Sequence, residues 1–361
     1  MSNSYNIVNL PGDGIGPEVL REAVGLLDTL GTKCGYEMNY TEEAAGGAAI
    51  DQYNDPMPDA VVEKCKAADG VMLGAVGGPK WDHHTGAMRP ESGLLKIRAE
   101  LGVYANLRPV SVPDSLAEAS PLRQETVAGS DFLVVRELTG GIYFGQPRDR
   151  EGESGNEKAY NTMVYTTHEI ERVARVAFEW ARKRDGRVCS VDKANVLVVS
   201  QLWRDTVTKL HADEFSDVEL SHMYVDNAAM QLVIRPTQFD VIVTGNLFGD
   251  ILSDAGATLP GSLGLLPSAS LGGTTGLFEP VHGSAPDIAG QSIANPIACI
   301  LSASMLLDDL GESKAATAIR AGVDGALATG ARTADLARDG YKKVSTTEMA
   351  ALITEHALST L

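Results

Sequence analysis

Positive charge is scarce in this sequence: 30 lysines and arginines stand against 48 aspartates and glutamates in 361 residues, a formal net charge of −18. A surface that acidic repels nucleic acid and anionic membranes, so neither is expected as a partner. An anionic substrate could bind only where the few basic residues are concentrated. Cysteine is scarce too: Cys34, Cys65, Cys189 and Cys299 are far apart, with no Cys-x-x-Cys or Cys/His spacing. That excludes the usual zinc patterns and a disulfide framework, and the four read as small core residues in a reduced compartment. No apolar run is long enough to span a bilayer, and the opening MSNSYNIVNL lacks the basic start and apolar stretch of a signal peptide. A cytoplasmic location is the expectation.

What is present is an alternation. Short β-branched runs (YNIVNL, GVMLGAV, DFLVVRE, RVCSVDK, VELSHMYV, FDVIVTG) are interleaved with amphipathic stretches such as PEVLREAVGLLDTL. This predicts an α/β fold, and 44% hydrophobic residues over this length allow one large or two medium domains. The longest interruption, 144–167, is polar and glycine-containing; it reads either as an arm packed on a partner subunit or as a solvated loop. The segments NPIACILSASMLLDDL and KAATAIRAGVDGALATG read as core-packing helices.

Several motifs stand at the ends of these runs. PGDGIGPEV has Gly12, Gly14 and Gly16 at G-x-G-x-G spacing, with Pro17 where a Rossmann turn needs its third glycine. Pro17 suits the first position of a helix, and the turn itself is either a plain tight turn or a ligand-facing loop. Arg98, Arg108 and Arg136 could hold carboxylates bidentately, although each alone also fits a surface or ion-pairing role. Leu94 and Leu95 add an apolar patch beside Arg98. Lys193 follows a strand; it reads as a snorkelling surface residue or, in a cleft, as a base.

Asp226, Asp250 and Asp254 stand at or just after strand ends, where open α/β sheets bind ligands. The last two are four residues apart, and like charges at that spacing repel by a few tenths of a kcal/mol. Two readings fit: favourable charge in the first turn of a helix, or a hard divalent cation between them. Carboxylate oxygens without His or Cys suit Mg2+ or Mn2+.

Long stretches, namely PGDGIGPEV, GGPKWD, ESGLLKIRAELGVYANLRP, RELTGGIYFG, VDKANVL, TGNLFGDILSD and EPVHGSAPDIAGQSIANP, resemble the isocitrate/isopropylmalate dehydrogenases, a family of metal-dependent β-decarboxylating dehydrogenases. The resemblance implies that family's fold: two α/β domains, a non-Rossmann cofactor site and a β-arm at a dimer interface. It places a discontinuous cofactor-binding domain at 1–103 and 261–361 around an inserted domain at 104–260, which carries the arm and the interface of a homodimer with shared active sites. By resemblance, Arg98, Arg108 and Arg136 grip the substrate carboxylates, Tyr143, Lys193 and Asp226 are catalytic, and Asp226, Asp250 and Asp254 hold the metal. Lys193 and Asp226 would act in the neighbour's cleft. Glu91, Leu94 and Leu95 fall at the substrate pocket. Gly77, Glu279, His282, Gly283, Ser284, Ala285, Asp287, Ile288 and Asn295 fall at the cofactor.

The resemblance further implies NAD rather than NADP, since the Asp287 carboxylate would repel a 2′-phosphate. Apolar Leu94 would leave the extra carboxylate of isocitrate unpaired, which is costly. Among substrates of the family, 3-isopropylmalate is therefore preferred to isocitrate, homoisocitrate, D-malate and tartrate.

Overall fold

The computed structural model describes residues 3–361, in which strands alternate with helices through most of the chain. In chain order the principal strands are β1 (Asn3–Gly12), β2 (Tyr36–Glu42), β3 (Gly70–Ala75), β4 (Ala105–Ser111), β5 (Asp131–Glu137), β6 (Asp149–Glu153), β7 (Asn156–Tyr160), β8 (Arg187–Asp192), β9 (Glu219–Tyr224), β10 (Val241–Thr244), β11 (Pro267–Leu271) and β12 (Gly276–Pro280). The chain forms two compact units. The first comprises the chain up to Val103 with Pro113–Ala119 and Pro260–Leu361; the second comprises Tyr104–Val112 and Ser120–Leu259.

In the first unit β1 runs parallel to β2 and β3, β12 is parallel to β3, and β11 pairs antiparallel with β12. Every residue of β3 is buried, as expected of a parallel strand covered on both faces. The helix Gly16–Cys34 turns Val19, Leu20, Ala23, Leu26, Leu27 and Leu30 inward at helical spacing and packs on the helices Ile297–Asp309 and Thr346–Ser359. Pro17 is its second residue rather than its first, a shift of one position that still leaves the missing N–H without cost. Gly35, at φ 84°, ends it in the left-handed conformation that glycine adopts readily.

The second unit has β4 antiparallel to β5, followed by the parallel set β5, β10, β8 and β9. The helix Thr167–Arg182 begins with a reciprocal capping box between Thr166 and Glu169 and packs against the helix Val198–Glu214. Within 144–167, β6 and β7 form an antiparallel ribbon in which every residue is exposed. The carboxyl ends of β5, β8 and β10 carry Arg136, Lys193 and the helix Asn246–Ala257, so the topology delivers the candidate groups to strand ends.

Candidate active site

The helix Asn246–Ala257 starts directly behind β10, with Gly245 still extended. Its first N–H, on Asn246, donates to the Tyr165 hydroxyl at 2.7 Å, which satisfies one of the donors a helix start leaves open. Asp250 and Asp254 lie beyond the first turn, which contains no acid. Helix-end electrostatics therefore does not account for the pair. Arginine does. Arg108 Nη1 lies 3.2 Å from Asp254 Oδ1 and 3.7 Å from Asp250 Oδ1, and Arg136 Nη1 donates to Asp250 Oδ1. Tyr143 Oη donates to the other oxygen, Asp250 Oδ2, at 2.9 Å.

These guanidiniums are interior groups. Arg108 is 6% exposed and Arg136 3%, so the plain surface reading of the arginines does not apply. Burial raises the Asp254 carboxyl above its ordinary range, opposed by Arg108 and reinforced by Asp250. Burial also raises the Tyr143 phenol, and its bond to Asp250 adds to the shift. The tyrosine thus keeps its proton at neutral pH.

Lys193, directly after β8, donates from Nζ to Asp226 Oδ1 at 2.5 Å. That bond holds the Asp226 carboxyl below its usual range. Asp226 is the second residue of the helix Val225–Ile234, just past the end of β9. Among the described residues, no three His, Cys, Asp or Glu side chains gather to hold a metal, so Asp226 does not join Asp250 and Asp254 within this chain. Those two acids fit a hard divalent cation by donor chemistry: both offer carboxylate oxygens from one helix face, with no competing thiolate or imidazole.

In the first unit, Arg98 Nη2 donates to Glu279 Oε1 at 2.6 Å, and both side chains are nearly buried. Among the described residues, its Nε is buried without a hydrogen-bond partner. Leu94 is half-buried and Leu95 exposed on the same helix, while Ser92 Oγ donates to Gly86 O. Glu91 lies in the first turn of that helix, next to Gly77: a side chain at 77 would meet its Oε1 at 3.0 Å.

The PGDGIG turn is tied to the 281–295 segment rather than being a free loop. Ile15 N donates to Ser284 O at 2.8 Å, and any Cβ on Gly14, at φ 59°, would lie 2.0 Å from that oxygen. Asp13 accepts from the N–H groups of Gly47, Ala48 and Gly77. In the 281–295 segment, His282 Nε2 is buried without a partner among the described residues, Gly283 has open space where a side chain would project, and Asp287 is exposed. Burial lowers the His282 pKa, so the ring is neutral. Ile288 N donates to Ala285 O, and Asn295 donates to Asp335 while accepting from Ile297 N. An unpartnered imidazole nitrogen, a side-chain-free glycine and an exposed carboxylate suit the phosphates and ribose hydroxyls of a dinucleotide.

Sequence reasoning does not single out Asn246, Asp13 or Asp335. Asp13 follows a strand directly and Asn246 follows one after a single residue, and that position is the signal that finds them; Asp335 has no comparable marker. Residues 6–353 match the model of the isocitrate/isopropylmalate dehydrogenase family. The chain is 62% identical to a 3-isopropylmalate dehydrogenase of Salinibacter ruber, covering 96% of this chain and 93% of that one. It is 60% identical to one of Oleidesulfovibrio alaskensis, covering 96% and 98%. Among solved structures, an isocitrate dehydrogenase from Methylococcus capsulatus superposes with a TM-score of 0.86 at 34% identity, covering 98% of this chain and 99% of that one.

Proposed function

The chain belongs to the isocitrate/isopropylmalate dehydrogenase family, and on that premise we propose that it oxidises and decarboxylates (2R,3S)-3-isopropylmalate with NAD+, giving 4-methyl-2-oxopentanoate and CO2 for leucine biosynthesis. The observation that carries this reading is the cluster on Asp250, where one carboxylate receives Tyr143, Arg136 and Arg108. It joins an acid group, two carboxylate-binding guanidiniums and a metal-binding acid.

Arg98, Arg108 and Arg136 bind the substrate carboxylates bidentately. Asp250, Asp254 and Asp226 would hold Mg2+ or Mn2+, which would supply Lewis acidity toward the substrate's C2 hydroxyl, and NAD+ would serve as the hydride acceptor. Lys193, linked to Asp226, accepts the hydroxyl proton. After CO2 has left, Tyr143 delivers a proton to C3. Leu94 and Leu95 contact the isopropyl group, and an extra carboxylate there would be desolvated without a partner.

Asp226 and Lys193 serve the site of a second copy of this chain in a homodimer. The separation of Asp226 from Asp250 and Asp254 supports this, and so do Met230, Val233, Ile234 and Ile251, large apolar side chains more than half exposed on two adjoining helices. The fully exposed β6–β7 ribbon has no buried face of its own and suits an arm on the partner. Four unpaired cysteines suit a reducing cytoplasm, and among the described residues no helix is long and apolar enough to cross a membrane.

The test is NADH absorbance with a panel of 2-hydroxy acids, with and without EDTA. Metal-dependent turnover highest on 3-isopropylmalate is expected, and no signal with any acid refutes the reading.

A further inference from the structure

Arg136 is held on one edge by a neutral amide. Asn246 Oδ1 accepts from Arg136 Nε at 3.1 Å and from Nη2 at 2.7 Å, while Nη1 donates to Asp250. The amide cannot turn over. Its Nδ2 donates to Leu138 O at 2.9 Å and Gly140 O at 3.2 Å, so the reverse orientation would set an oxygen against two carbonyls and an NH2 against guanidinium N–H groups. The Asn246 backbone is fixed as well, through its N–H bond to Tyr165, and the residue is 1% exposed.

The neighbouring glycines complete the cradle. A Cβ on Gly249 would lie 2.7 Å from Arg136 Cγ and 2.8 Å from Cβ, so glycine there makes the groove in which the arginine stem lies. A Cβ on Gly245 would crowd the Tyr165 ring at 3.1 Å. Three positions of TGNLFGD are thus explained by the lie of one arginine and of the tyrosine that fixes Asn246.

We propose that Asn246 is the positioning residue for Arg136: it fixes the plane of the guanidinium for a planar, bidentate carboxylate of the substrate, and does so without neutralising it. A carboxylate in the same place would also grip the Nε edge, but it would cancel the charge that an anionic substrate needs. The inference rests on the assignment of Arg136 to substrate binding.

The test uses the full chain with Asn246→Ala, Asn246→Ser, the near-isosteric Asn246→Asp and, separately, Arg136→Lys. Readouts are KM for 3-isopropylmalate, KM for NAD+, melting temperature, and calorimetric binding of 3-isopropylmalate in the presence of Mg2+. Misplacing a binding group by about 1 Å can cost ~100-fold. Asn246→Ala and Asn246→Asp should raise the KM and dissociation constant for 3-isopropylmalate about 10-fold or more, with KM for NAD+ held within about 2-fold. Asn246→Ser, which keeps one acceptor oxygen, should recover part of the loss. Asn246→Asp keeps the side-chain volume but sets an oxygen against Leu138 O and Gly140 O, so Asn246→Ser, which lacks that repulsion, serves where the other variants do not fold, and substrate affinity within about 2-fold of wild type in it then overturns the proposal. Substrate affinity within about 2-fold of wild type in a folded Asn246→Ala or Asn246→Asp chain overturns the proposal, as does an equal rise in both KM values. If Arg136→Lys leaves substrate affinity unchanged, the assignment of Arg136 itself fails; if Arg136→Lys weakens it and the Asn246 variants do not, only the positioning role fails.

Discussion

Tyr143 donates its hydroxyl hydrogen to Asp250 Oδ2 at 2.9 Å, which places a protonated phenol beside a proposed metal-binding carboxylate. Burial and that carboxylate both raise the phenol pKa, so it carries its proton throughout the neutral range. A general acid of this kind contributes about 10²–10⁴-fold to its step. Tyr143→Phe should lower turnover about 100-fold, with the defect in decarboxylation and protonation and substrate affinity little changed. CO2 release measured in single turnovers checks this, and an unaltered rate would remove Tyr143 from the mechanism.

Lys193 is the proposed complementary base. Its 2.5 Å bond to Asp226 joins it to a carboxylate whose pKa that same bond lowers. Lys193→Met removes the proton acceptor while keeping much of the side-chain length, and turnover should fall at least ~100-fold. Activity within a few-fold of wild type would sink the assignment.

The two variants together test the shared site. If Lys193 serves the partner's cleft, a mixed dimer of Lys193→Met and Tyr143→Phe chains contains one site with an intact tyrosine and an intact lysine. Co-refolding the two inactive chains should restore clear activity, while each refolded alone stays inactive. No recovery, with mixed dimers demonstrated by differential tagging, would place both groups in one chain's site.

The strands were legible because β-branched runs such as VIVT and GVMLGA are buried along their whole length, so their composition reflects covered sheet. The acids and Arg136 were legible as residue types at strand ends, and Arg98 and Arg108 only as rare basic residues in an acidic chain. Their pairings were not: Arg136 and Asp250 are 114 residues apart, and Arg108 and Asp254 are 146 apart. Nothing local encodes such contacts. The first-turn reading of Asp250 failed because Tyr165, 81 residues from Asn246, supports a helix start at that residue, one turn earlier. Asn246 carries no charge, and its place just past β10 is its local mark; its importance comes from four distant partners, Arg136, Leu138, Gly140 and Tyr165.

Acid should weaken the fold through His222. Burial, with Arg204 nearby, lowers its pKa from the ordinary 6.5, and Nδ1 is buried without a partner among the described residues. The sign follows from proton counting: between the lowered folded value and 6.5 the unfolded chain binds more protons, so stability is full above that window and is lost as pH falls through it. Each unit of displacement is worth about 1.4 kcal/mol. Urea midpoints measured from neutral to mildly acidic pH should fall, and His222→Gln, which cannot titrate there, should show a shallower fall. Parallel curves for the two proteins would exclude His222 as the group responsible.

Cofactor choice should turn on Asp287, which is exposed and directly precedes Ile288, whose N–H closes the loop onto Ala285 O. An exposed carboxylate can accept from ribose hydroxyls, whereas a 2′-phosphate would bring two like charges together. Replacing Asp287 with Lys and Ile288 with Tyr exchanges repulsion for a cation and a phenolic donor. The ratio of kcat/KM for NAD+ to that for NADP+ should fall by at least ~100-fold, from a loss with NAD+ and a gain with NADP+. The gain is the discriminating half, because any damage to the loop lowers activity with both cofactors. A double variant that loses NAD+ activity without gaining any with NADP+ would show that residue 287 shapes the loop rather than reading the ribose.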